Sequence, residues 1–87
     1  MAYETLIDER VNVWVFFKPS KSGSIIPIAM SWHKRLIKFQ GVIFTTTLKI
    51  GEVKLINLVC RAQGANFELE YNTDTHLWKL KKVMPRE

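Results

Sequence analysis

Two histidines, one cysteine and a pair of alternating glutamates are the groups in this chain that could do chemistry. Their spacing argues against it. His33 and His76 lie far apart in the sequence, and neither has a second ligand two to four residues away, the spacing that builds a structural zinc site. No metal and no cofactor is expected. Cys60 stands between Val59 and Arg61 in an apolar phase, with no sign of the positioned base and oxyanion donors that a thiol nucleophile needs. Glu68 and Glu70 find lysine partners on a facing segment, so surface pairing accounts for them better than acid–base work. There is no glycine-rich phosphate loop. These residues point away from an enzyme.

The cations and aromatic rings are the better candidates. From Lys18 to Arg61 the chain carries eight basic residues and one acid, Glu52, within a net charge of +5. Lys34, Arg35, Lys38, Lys49 and Lys54 are the candidate contacts of this basic middle with nucleic acid or another acidic partner. The plainer reading is a solvated surface that keeps the protein soluble. Three Trp, two Tyr and five Phe are many for 87 residues. Small β-barrels bind single strands by stacking bases on exposed rings beside lysines. In a domain this small, rings are also what fills the core. Trp32 and Trp78, in phase with other apolar residues, read as core. Trp14 and Phe16 face away from Val13, Val15 and Phe17, so one of those sets needs cover from another layer, a second copy or a ligand.

The elements that must hold these residues are strands. Phe67, Leu69 and Tyr71 alternate with Glu68 and Glu70, and Trp78 and Leu80 alternate with Lys79 and Lys81. Setting Tyr71 opposite Trp78 puts Leu69 against Leu80 on one face, and Glu70 against Lys79 and Glu68 against Lys81 on the other. A slip of one residue would set charge against hydrophobe throughout, so the register is fixed by the pattern. Val13–Phe17 is apolar on both faces and reads as a strand buried on both sides, ended by Pro19 and a Ser/Gly loop over 20–24. Ile26, Ile28, Met30 and Trp32 give a second strand. Pro27 confines it to an edge, or to pairing that only begins there.

The connection at His33–Leu36 lacks the glycine or asparagine of a two-residue primed turn, so a four-residue connection is expected, with Trp32 opposite Ile37 and Met30 opposite Phe39. The apolar phase switches at Gly41, which predicts a bulge or bend. It switches again near Leu55-Ile56, which predicts a second bulge or a strand covered on both faces. Gly51-Glu52 and Gln63–Asn66 mark turns. Residues 2–10 are compatible with a helical turn or a lead-in strand.

Length and composition fit one domain over residues 1–87 that buries roughly 60–65% of its unfolded surface. The longest apolar run, Val13–Phe17, is far short of the ~20 residues that span a bilayer. No signal peptide is evident at the N-terminus. A lone cysteine excludes an internal disulfide and fits a reducing cytoplasm.

Three blocks of the sequence resemble a family of short bacterial proteins and appended domains of unknown function, copies of which occur at the C-terminus of some Y-family DNA-polymerase-like proteins of the mutasome type. The first block is Ile7-Asp8-Glu9-Arg10-Val11-Asn12-Val13. The second is Pro27, Met30, Trp32, Lys34-Arg35, Ile37 and Phe39. The third is Phe67-Glu68-Leu69-Glu70-Tyr71 followed by Trp78-Lys79-Leu80-Lys81-Lys82-Val83. Lys34 stands where the family often has glycine, Ile37 where it often has tyrosine, and residues 44–64 have no clear counterpart. The resemblance implies a standalone β domain and, by association of domains only, the company of DNA repair. It supplies no catalytic residues.

The expectation is therefore an all-β fold, an antiparallel meander of five or six strands curled into a small barrel or a strongly bent sheet. Its expected role is non-catalytic. It would bind nucleic acid through the turn His33-Lys34-Arg35 with Lys38 and nearby Lys49 or Lys54. The alternative is a protein-interaction module, docking a protein partner or a second copy through a strand edge or an aromatic patch.

Overall fold

Period-two alternation with almost no helix signal leaves the chain one way to bury its apolar face, which is to curl a sheet around it. The computed structural model describes residues 5–19 and 24–85. They form six strands: β1 (Thr5–Lys18), β2 (Ser24–Trp32), β3 (Arg35–Ile50), β4 (Val53–Ala62), β5 (Ala65–Asn72) and β6 (Trp78–Pro85). Each pairs antiparallel with the next, and β1 pairs with β6, so the meander closes into a ring. Residues 2–4 and the loop segment 20–23 lie outside the described residues; from Thr5 onward the ambiguous N-terminal stretch is strand.

Two long strands make the closure by changing partner midway. β1 pairs with β6 up to Val11 and with β2 from Asn12 onward. β3 pairs with β2 over Arg35–Lys38 and with β4 from Phe39 to Ile50. The core lies inside this ring: Val11, Met30, Leu58, Cys60, Ala62, Phe67, Leu69, Tyr71, Trp78 and Leu80. Bulges do the bending. Gln40 and Ile43 are extra residues on β3, on either side of Gly41, which is where the apolar phase switches. The second expected bulge, near Leu55-Ile56, is absent. β4 runs in unbroken register there, and Val53 and Leu55 face outward, half-buried. Pro27 pairs only with Val15, and pairing of β2 with β3 starts beyond it at Ala29.

The β5–β6 hairpin has the register that its letters dictate, with Leu69 opposite Leu80, Glu70 opposite Lys79 and Tyr71 opposite Trp78. Beyond Leu69 there is a correction. Glu68 faces Lys82 rather than Lys81, because Lys81 is the extra residue of a bulge. That bulge meets an irregularity in β1, where Asp8 takes a left-handed φ of 62°. The Asp8 carboxylate accepts a hydrogen bond from Lys81 Nζ at 2.8 Å and lies 3.9 Å from Lys79 Nζ. This hydrogen bond, then the charges of Lys81 and Lys79, hold the Asp8 carboxyl below its usual range; the same bond raises Lys81. A lowered folded pKa stabilises the fold above the ordinary aspartate value. That contribution fades as pH falls through the lowered one.

The β2–β3 connection also differs from expectation. It is a two-residue turn at His33-Lys34, with φ of 51° and 62°, and it sets Trp32 opposite Arg35 and Met30 opposite Ile37. The shift of two residues preserves which face each side chain occupies, so the core is unaffected. His33 compensates for its backbone by stacking on Trp32 at 4.2 Å, with Nε2 3.7 Å from Glu9. Lys34 has no such contact among the described residues, and a non-glycine residue in this conformation costs about 1–2 kcal/mol. Lys34→Gly should therefore raise stability by about 1 kcal/mol in denaturant titration, and an unchanged or lower midpoint would show the turn to be misassigned.

Candidate nucleic-acid interface

β1 carries the site on its outer side. Val11, Val13 and Val15 turn inward against the core, so the alternate residues Arg10, Asn12, Trp14, Phe16 and Lys18 point outward, and all five are exposed. The reading of Val13–Phe17 as buried on both faces is thereby corrected. No second layer covers the outer side among the described residues, and Trp14 and Phe16 keep 54% and 52% of their surface. The row is a pair of rings about 6–7 Å apart along the strand, flanked by a cation at each end. Its neighbours follow from register. Trp14 lies beside Ala29, and Ala29 beside Lys38, so the indole and the ammonium flank one small residue that is 7% exposed. Phe16 lies beside Ile26, with the exposed bulge residue Ile28 adjoining.

The five expected cations do not form one surface. Lys34 and Arg35 sit at the β2–β3 turn and Lys38 three residues further along β3, outward and beside the Trp14 row. Lys49 and Lys54 face each other next to the β3–β4 turn. Those turns are at opposite ends of β3. The stretch from Lys38 to Lys49 spans about 35 Å at strand rise, close to the molecule's 37 Å long axis. Lys49 and Lys54 are therefore not near the turn, contrary to expectation. Arg35 lies on the side of β3 that Trp32 occupies, at the end of the ring. Trp32 itself is only half-buried, and its Nε1 donates to Glu9 Oε2 at 3.0 Å.

No family model, curated protein or solved structure matches this chain. The chemistry of the site has to be read from its own residues. Cys60 is fully buried, and burial pushes its thiol up to about 12, so no thiolate nucleophile is available at neutral pH. His76 takes a hydrogen bond with the Tyr71 hydroxyl through Nδ1 at 2.7 Å. It lies at the rim of a cleft of about 480 Å³ between β1 and the β5–β6 turn, lined by Val13, Val15, Phe17 and Leu77. Arg10 and Asn12 also line this cleft. Among the described residues no three His, Cys, Asp or Glu side chains gather as a metal site.

The sequence signal for the interface is the alternation Arg10-x-Asn12-x-Trp14-x-Phe16-x-Lys18. Val13, Val15 and Phe17 fill the gaps and make the stretch look like a core strand.

Proposed function

We propose that this domain is a non-catalytic module that binds single-stranded nucleic acid by stacking bases on Trp14 and Phe16, with Arg10, Lys18 and Lys38 holding the phosphates. The observation that carries the reading is the exposed ring pair on one strand with cations at its ends and flank. A base stacked on an aromatic side chain contributes about 1–3 kcal/mol and does so for every base, because each has a π face. Binding of this kind tolerates sequence. A duplex hides its base faces, so it leaves the rings without partners. Lys34 extends the cationic flank from the β2–β3 turn, Arg35 lies on the other side of β3, and Lys49 and Lys54 stand apart. The resemblance to domains appended to polymerase-like proteins supports single-stranded DNA in a bacterial cytoplasm as the ligand.

The test is a titration of a labelled mixed-sequence oligonucleotide, single- and double-stranded, at two salt concentrations. Single strands should bind better than duplex. Log affinity should fall linearly with log salt, and Lys18→Ala and Lys38→Ala should each reduce that slope by about 0.7. Absence of binding at low salt would end this reading. A second reading then takes its place, that of a protein-interaction surface. It is favoured by the apolar neighbours Ile26 and Ile28 beside Phe16, which enlarge the patch without adding charge.

A further inference from the structure

A second surface lies on β3, across a slot from the end of β1 that carries Phe17 and Lys18. From Phe39 to Ile50 this strand pairs with β4 on one side only. Its pairing with β2 ends at Lys38, and no other backbone hydrogen bond reaches this stretch among the described residues. The facing part of β2 before Ala29 is likewise unpaired on that side and contains Pro27. A slot of about 600 Å³, lined by Phe17, Ile25, Thr45, Thr47, Ile56 and Leu58 among others, separates the two. A strand edge this long, with exposed Phe44, Leu48 and Ile50 alongside, is a template for another strand.

We propose that the occupant is the same edge of a second copy, paired antiparallel about a two-fold axis through Thr46. The segment reads Phe44-Thr45-Thr46-Thr47-Leu48, apolar at both ends and threonine between, so it matches itself reversed. With Thr46 on the axis, Phe44 faces the partner's Leu48, Thr45 faces the partner's Thr47, and Thr46 faces its own copy. Such reciprocity is what a two-fold interface requires. Other two-fold registers keep the reciprocity but lose the match of apolar to apolar. An axis at Thr45 sets Phe44 against Thr46, and an axis at Thr47 sets Leu48 against Thr46. Phe44 and Leu48 lie on the outer face, in line with Val59 and Leu55 of β4. The dimer therefore joins two apolar rows, each running Val59, Phe44, then the partner's Leu48 and Leu55. Lys49 falls outside the five pairs, so no cation faces a cation across the axis. The pairing itself uses neither Trp14 nor Phe16.

Each protomer carries a net charge of +5, so the copies repel at long range, and salt screens this repulsion. Sedimentation velocity over a concentration series should show a monomer–dimer equilibrium that strengthens with salt, opposite in direction to nucleic-acid binding. Thr46→Lys places like charges face to face on the axis and should leave a folded monomer, as judged by an unchanged far-UV spectrum. Thr46→Cys should form a covalent dimer on oxidation, because residues directly opposite across an antiparallel pair sit about 4.5–5.5 Å apart, within disulfide reach. Leu48→Cys should not, since it faces the partner's Phe44. The buried Cys60 does not compete. Wild type that stays monomeric up to millimolar concentration, or Thr46→Lys that dimerises like wild type, would overturn the proposal.

Discussion

Replacing Trp78 with alanine should cost about 3–5 kcal/mol, the range for emptying a large aromatic site in a core. A domain of this length has roughly 5–13 kcal/mol in total, so the variant should be close to unfolding at ambient temperature. Trp78 is 6% exposed and its ring lies 4.7 Å from that of Tyr71. It also occupies the last paired position between β6 and β1, opposite Val11. Losing it leaves a cavity against Tyr71 and removes the side chain at the point where β1 leaves β6 for β2. Trp78→Phe should retain most of the stability because it keeps the ring contact and loses less volume. Chemical denaturation checks both variants. An unchanged midpoint for Trp78→Ala would mean that the ring does not close where the register puts it.

The double variant Trp14→Ala with Phe16→Ala should have the opposite profile. Both rings are more than half exposed, so the fold should stay intact and the denaturation midpoint should hold or rise slightly. Binding to single strands should fall by about 2–6 kcal/mol, the sum of two stacking contributions. The salt dependence should be unchanged, since no phosphate contact is removed. Lys18→Ala and Lys38→Ala lower the slope instead. The two classes of variant thus separate base stacking from charge, which a single loss of affinity would not.

The parts of this fold that could be read from the letters are those where polarity alternates cleanly. Phe67–Tyr71 and Trp78–Leu80 fix their own register because charge and hydrophobe cannot trade places. Gly41 marked the bend in β3 because the apolar phase changes there. Reading failed where backbone conformation departed from residue preference. His33 and Lys34 adopt positive φ without glycine or asparagine, since His33 gains a stacking partner in Trp32. Asp8 does so in a bulge held by Lys81, a residue 73 positions away that no local pattern could have supplied.

Exposure was the other weak point. Val13–Phe17 and Val53–Leu55 look like doubly covered strands. In a six-strand ring only one face of each strand can turn inward, and the second apolar set has to remain outside. For the same reason the candidate site was half legible. Lys34, Arg35 and Lys38 are close in sequence and lie near one end of β3, with Arg35 and Lys38 on opposite sides of the strand. The distance to Lys49 and Lys54 depends on how far β3 runs past β2, which composition does not encode.

The most direct test of the β1 interface is tryptophan emission during titration with a single-stranded oligonucleotide at low salt. Trp14 is the most exposed of the three indoles, while Trp32 is half-buried and Trp78 is in the core. A base stacking on β1 should quench the solvent-exposed, red-shifted part of the emission with a saturable dependence on oligonucleotide. Trp14→Ala should abolish the quench and weaken binding in a parallel anisotropy measurement. Emission that does not change on saturating the protein, or a Trp14→Ala variant that binds as tightly as wild type, would contradict the assignment of this face.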